Sequence, residues 1–90
     1  MNNASPALAS RPAYRVASEG RSKVVDETTL YAAVRLARAI ATIDGTMVNV
    51  WSSDRNHRAV AFAQPAGAVR VSFGATAGER AALANDWQAE

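Results

Sequence analysis

Ninety residues carrying a formal net charge of +2 allow one small domain, because a chain of this size buries only on the order of 60% of its unfolded surface. Apolar residues make up 49% of the chain, but almost a quarter of it is alanine, and Leu, Ile, Val and Phe together fall just under a fifth; at so low a net charge this still fits a folded domain with a small core. The lack of cysteine excludes a disulfide framework, a thiolate nucleophile and a zinc-type cysteine cluster, and fits a cytoplasmic protein.

The opening MNNASPALASRP has neither a basic leader nor a sustained apolar run, so residues 1–12 are expected to be a disordered tail before a single domain over 13–90. No stretch approaches the roughly 18 apolar residues of a membrane span. AYRVASEGRSKVVDE reads as a hairpin in which Tyr14 and Val16 alternate with Arg15 and Ala17, Glu19 and Gly20 form the turn, and Val24 and Val25 return. A helix follows from Thr28 or Thr29 to Ile43 or Asp44, with Asp26 or Thr28 as its cap and Gly45 as its left-handed stop.

On that helix Leu30, Ala33, Val34, Leu36, Ala37, Ile40, Ala41 and Ile43 form one apolar arc, and Tyr31, Arg35, Arg38 and Thr42 form a polar stripe opposite. With Ala32 and Ala39 on its flank the arc is broad enough to admit a further element, either the C-terminal segment or a second copy of the chain. TMVNVW, RAVAFA and VRVSF then alternate as three strands of an antiparallel meander, separated by the turns SSDRNH and QPAGA. Its inner face is expected to be Val48, Val50, Val60, Phe62, Val69, Val71 and Phe73, leaving Met47 and Trp51 outside, with Trp51 the only outer aromatic. A short second helix starts at Thr76, where Thr76 and Glu79 have the spacing of a capping box, and turns Leu83 and Trp87 to one side. The expected fold is α+β: an antiparallel sheet, built from an N-terminal hairpin and a three-stranded meander, packed by one main helix and a short C-terminal helix.

No catalytic or metal motif accompanies this pattern. Ser52, Ser53, Asp54 and His57 crowd one short loop, whereas a catalytic triad needs groups oriented by separate rigid elements. There is no calcium-loop, P-loop or GxGxxG sequence, so neither enzymatic activity nor a cofactor, a metal or a small-molecule substrate is expected. Nine of the ten basic residues are arginine, and the charge is positive over 1–25 and 55–70 but negative over 26–54 and 71–90. From Thr28 onward the order helix, three antiparallel strands, helix resembles the double-stranded RNA-binding domain in layout. That resemblance implies phosphate contacts by basic side chains at the start of the last helix, where GATAGERAAL offers Arg80 beside Glu79.

Tryptophan and arginine are frequent interface anchors, which makes Met47, Trp51, Arg55, His57 and Arg58 the candidate contacts to a protein partner. Tyr31, Arg35, Arg38 and Arg70 are the candidate nucleic-acid contacts. The leading expectation is a non-catalytic protein-binding module, a stand-alone regulator or inhibitor of the kind that short motif-free phage and mobile-element chains supply, which occludes a partner surface. Self-association as a homodimer would add buried area to so small a core, and a nucleic-acid-binding module is the alternative function.

Overall fold

The computed structural model of the chain describes residues 13–21, 23–54 and 56–88, without the side chains of 21 and 85–88. The tail expected over 1–12 lies outside the described residues. The elements follow as β1 (Tyr14–Ser18), β2 (Val24–Glu27), α1 (Leu30–Asp44), β3 (Val48–Ser52), β4 (Ala59–Ala63), β5 (Val69–Val71) and α2 (Ala77–Gln88). The strands form one antiparallel sheet in the order β2-β1-β3-β4-β5, so the fold is α+β. The hairpin β1–β2 and the meander β3–β4–β5 are joined along β1 and β3, with α1 crossing over between β2 and β3.

Local rules account for the helix ends. Asp26 is a strand residue opposite Arg15, so it does not cap α1, and neither does Thr28. The cap is Thr29, extended at φ −125°, whose hydroxyl accepts the Ala32 N–H at 3.1 Å. At the far end Gly45 turns left-handed at φ 71° and returns its N–H to the Ala41 carbonyl at 2.9 Å. Thr76 and Glu79 form the capping box of α2 reciprocally: the Glu79 N–H reaches Thr76 Oγ1 at 3.1 Å, and the Thr76 N–H reaches Glu79 Oε1 at 2.8 Å.

The core lies between α1 and one face of the sheet. Ala33, Ala37 and Ala41 are each 0% exposed and meet Val16, Val48, Val50, Val60, Ala61 and Ala63. The alanines of the arc are therefore covered by the chain's own sheet, while Leu36 and Ile40 on its flank stay partly buried and Ile43 stays exposed. This corrects the expected inner face. The β3–β4 ladder pairs Val50 with Ala61 and Asn49 with Phe62, then shifts register between Val50 and Trp51 so that Trp51 lies opposite Ala59. Val60 is the extra residue of this bulge and turns inward together with Ala61, while Phe62 is left on the outer face. A sheet approached closely by three alanines has room for Ala61 and Ala63 but none for a phenyl ring. Phe73, also expected inside, is 101% exposed just beyond β5.

Leu83, 4% exposed, joins the same core cluster. That places α2 on the α1 side of the sheet, where Leu83 and Ala84 face Arg38, Val69 and Val71 across a groove. Both helices thus cover the same face.

Candidate functional site

The face that the helices leave open is an ordered array set by strand register. One cross-strand row reads Asp26, Arg15, Trp51 and Ala59; the next reads Val24, Ala17, Asn49, Phe62 and Arg70. Arg15 is directly opposite Trp51 and Arg70 directly opposite Phe62, at the roughly 5 Å spacing of cross-strand neighbours. Trp51, Asn49 and Phe62 are partly exposed in the middle of the sheet, Arg15 and Arg70 are exposed beside them, and Ala17 at 2% exposure forms the floor.

Two depressions flank this array. One, of about 320 Å³, is lined by Arg15, Trp51, Ser53 and His57. His57 reaches it from the β3–β4 loop in a left-handed conformation, φ 48°, which is uncommon outside glycine although histidine tolerates it better than most. Ser53 Oγ is shielded from solvent and makes no protein hydrogen bond. The other, of about 380 Å³, lies at the β5 end and is lined by Ala59, Phe62, Val71, Ser72, Phe73 and Arg80. Arg80 is held there by the Ser72 and Phe73 carbonyls, at 3.1 and 3.4 Å. Trp51 and Phe62 consequently share the open face between Arg15 and Arg70, and Phe73 borders Phe62 at the β5 edge.

An ion network beneath the β3–β4 loop fixes this geometry. Arg58 donates to Glu79 Oε1 at 2.9 Å, to the Gly74 carbonyl at 2.6 Å and to Asp54 Oδ2 at 3.2 Å, and the Tyr14 hydroxyl donates to Glu79 Oε2 at 2.7 Å. Burial pushes the Glu79 carboxyl up, but the hydrogen bonds from Arg58, the Thr76 N–H and Tyr14 outweigh it and hold the group at about 2. Burial and the Glu79 carboxylate together push the Tyr14 hydroxyl up to about 12. Asp54 is held below the usual carboxylate range, first by its hydrogen bond from Ser52, then by the Asn56 N–H and Arg58. Ser52, 2% exposed, donates to Asp54 Oδ1 at 2.9 Å and accepts the Arg58 N–H at 2.7 Å, closing the loop. Gly74 must lack a side chain here, since a Cβ would stand 2.5 Å from the Ala59 carbonyl oxygen.

The candidate residues consequently separate. Trp51 and His57 are together on the open face. Met47 sits at the other end of β3, partly buried, its carbonyl accepting the Glu19 N–H, about 13 Å along the strand from Trp51. Arg58 is committed inside the molecule, and Arg55 lies outside the described residues. Of the candidate nucleic-acid contacts, only Arg70 is on the open face. Tyr31 and Arg35 stack on α1, with Arg35 Nη1 donating to the tyrosine hydroxyl at 3.0 Å and its guanidinium 5.5 Å from the ring centre, while Arg38 donates to the Gly67 carbonyl at 3.0 Å. Among the described residues, Arg35, Arg38, Arg58 and Arg70 therefore do not form one patch. Sequence reasoning missed Arg15, Phe62 and Phe73; the Arg15–Trp51 pairing needs the β1–β3 register, and Phe62 needs the bulge.

Ser52, Asp54 and His57 are joined through loop-forming bonds, the His57 N–H reaching Asp54 Oδ1 at 3.2 Å. Among the described residues no three His, Cys, Asp or Glu side chains gather as a metal site, and no helix is long and apolar enough to cross a membrane. No protein-family model, no curated protein and no solved structure matches the chain.

Proposed function

We propose that the chain is a non-catalytic recognition module that takes a protein partner on the open face of its sheet, acting in the cytoplasm as a stand-alone regulator or inhibitor that occludes the partner's surface. One observation carries this reading: both helices pack on the same side, leaving Trp51 and Phe62 uncovered between Arg15 and Arg70, with Phe73 fully exposed beyond the end of β5. Aromatic and arginine side chains set on a rigid sheet combine large contact area with little ordering cost, which is the chemistry of interface hot spots. Arg15 is neutralised on this face by its pair with Asp26, at 2.9 Å, which leaves Arg70 as the cation that favours an acidic group on the partner.

The test is capture of partners from the native host by the tagged chain, with nuclease treatment in parallel. The Trp51→Ala and Phe62→Ala proteins are expected to hold a nuclease-resistant partner at least about tenfold more weakly. Equal capture by all three proteins overturns the reading.

A second reading rests on the bulge, which turns Phe62 to the face of Trp51, where the β4–β5 register sets it opposite Arg70 as Trp51 lies opposite Arg15. Single-stranded nucleic acid is held by this combination of stacking ring and cation. It predicts that a labelled oligonucleotide binds at low salt, is released steeply as salt rises, and is lost with Trp51→Ala.

A further inference from the structure

The surface that carries furthest beyond this reading is the β2 edge of the sheet. β2 pairs with β1 on one side only. The Ser18 N–H reaches the Lys23 carbonyl at 2.9 Å, so by antiparallel alternation Lys23, Val25 and Glu27 turn their backbone groups to β1. Val24 and Asp26 then turn their N–H and C=O groups outward. Neither proline nor a bulge blunts this strand, and Val24 and Val25 are 47% and 39% exposed. Above it, the ion pair of Lys23 with Asp44, at 2.7 Å, holds the last turn of α1 near the start of β2. On the flank of α1 beside this edge, Leu36 and Ile40 are only partly buried and Ile43 is 80% exposed.

The sequence of the edge, Lys-Val-Val-Asp-Glu over 23–27, is complementary to itself when laid antiparallel. With Val25 facing Val25 of a second copy, the outward groups of Val24 meet those of Asp26 and complete a ladder, and each Lys23 lies opposite a Glu27. Asp26 brings no uncompensated charge, since Arg15 already pairs with it at 2.9 Å. We propose that β2 is a self-recognition edge. Two copies join through it about a two-fold axis at Val25 into one continuous sheet, and Val25, Ile40 and Ile43 of both copies close over the junction on the helix side.

The test uses the full chain in sedimentation equilibrium. The wild-type protein is expected to be a dimer. Lys23→Glu sets Glu against Glu27 and also gives up its own Asp44 partner, and Glu27→Lys sets Lys23 against Lys while leaving the Lys23–Asp44 pair intact. Each variant alone is expected to dimerise about tenfold more weakly. Mixed in equal amounts, the two variants regain complementary pairs in both contacts, and native mass spectrometry should show the heterodimer restored; a merely misfolded variant would not recover. Val24→Pro removes an outward N–H without touching the bonds to β1, and is expected to abolish the dimer while leaving the circular dichroism spectrum unchanged. A monomeric full chain overturns the proposal, as does a dimer indifferent to these variants. A chain that dimerises only after removal of 1–12 assigns the edge to that segment and equally overturns it. Trp51→Ala should leave the dimer intact, so this proposal and the partner-face reading fail separately.

Discussion

At the scale of single residues, Glu79 ties three distant parts of the chain together. It caps α2 through Thr76, meets Arg58 from the β3–β4 loop and accepts the Tyr14 hydroxyl from β1. Its carboxyl, ordinarily near 4.5, titrates in the fold at about 2. The native state therefore binds fewer protons than the unfolded chain in that interval. The stability contributed by Glu79 is complete above the unfolded value and is lost as pH falls from about 4.5 toward 2, amounting to roughly 3 kcal/mol at most. Urea denaturation between pH 6 and pH 2 should show this acid loss, and the Glu79→Gln protein should start less stable and lose less over the same range. Tyr14 has the opposite sign: its raised value keeps the hydroxyl protonated in the fold, and that stability is lost as pH rises from about 10 toward 12. In a Tyr31→Phe protein, absorbance at 295 nm should give a single tyrosine titration near 12, falling toward the ordinary value once Glu79 is replaced by Gln.

The elements show where sequence rules reached and where they stopped. Gly45 and the Thr76–Glu79 box were legible because a helix end depends on a few neighbouring residues, and the strand limits were legible because alternation and turn residues are equally local. The parity of β4 was not. A strict period of two sends Phe62 inward with Val60, but the bulge at Trp51 lies beside a loop tied down by Ser52, Asp54 and Arg58, and no spacing in the sequence announces that knot. Alternation was enough to turn Trp51 away from α1, but not to show that α2 leaves it uncovered, because the side on which α2 docks is decided by Glu79 meeting Arg58 and Tyr14 from distant parts of the chain. The alanine contact of α1 gives the element-scale prediction. Ala37 is 0% exposed against the sheet, so Ala37→Leu has nowhere to place its added carbons. Overpacking of this kind costs about 2 kcal/mol, which lowers Tm by roughly 8–16 °C in a domain of this size. Gly45→Ala meets no atom within 4 Å, so its cost is the left-handed backbone alone, about 1 kcal/mol.

At the scale of the whole molecule the two faces of the sheet differ in what covers them. One face holds the helices and most of the core; the other leaves Trp51 and Phe62 half-exposed. A single core supporting one side is enough for a domain this small, because the second face can stay wet where arginine, asparagine and ring edges meet solvent. If the proposed partner docks on the open face, this division makes stability and recognition separable by mutation. Val50, 1% exposed in the helix-side core, should lose about 2 kcal/mol on truncation to alanine, from two lost methyl groups and the space they leave. Phe73, fully exposed, should change stability by no more than about 0.5 kcal/mol on the same truncation, although it removes a far larger side chain. Thermal melts of the two proteins set beside partner capture then read the two faces independently: Val50→Ala is expected to melt earlier yet bind normally when folded, and Phe73→Ala to melt with the wild type yet bind more weakly. If Phe73→Ala instead destabilises the fold as much as Val50→Ala does, the aromatic side belongs to the core and the division between the faces does not hold.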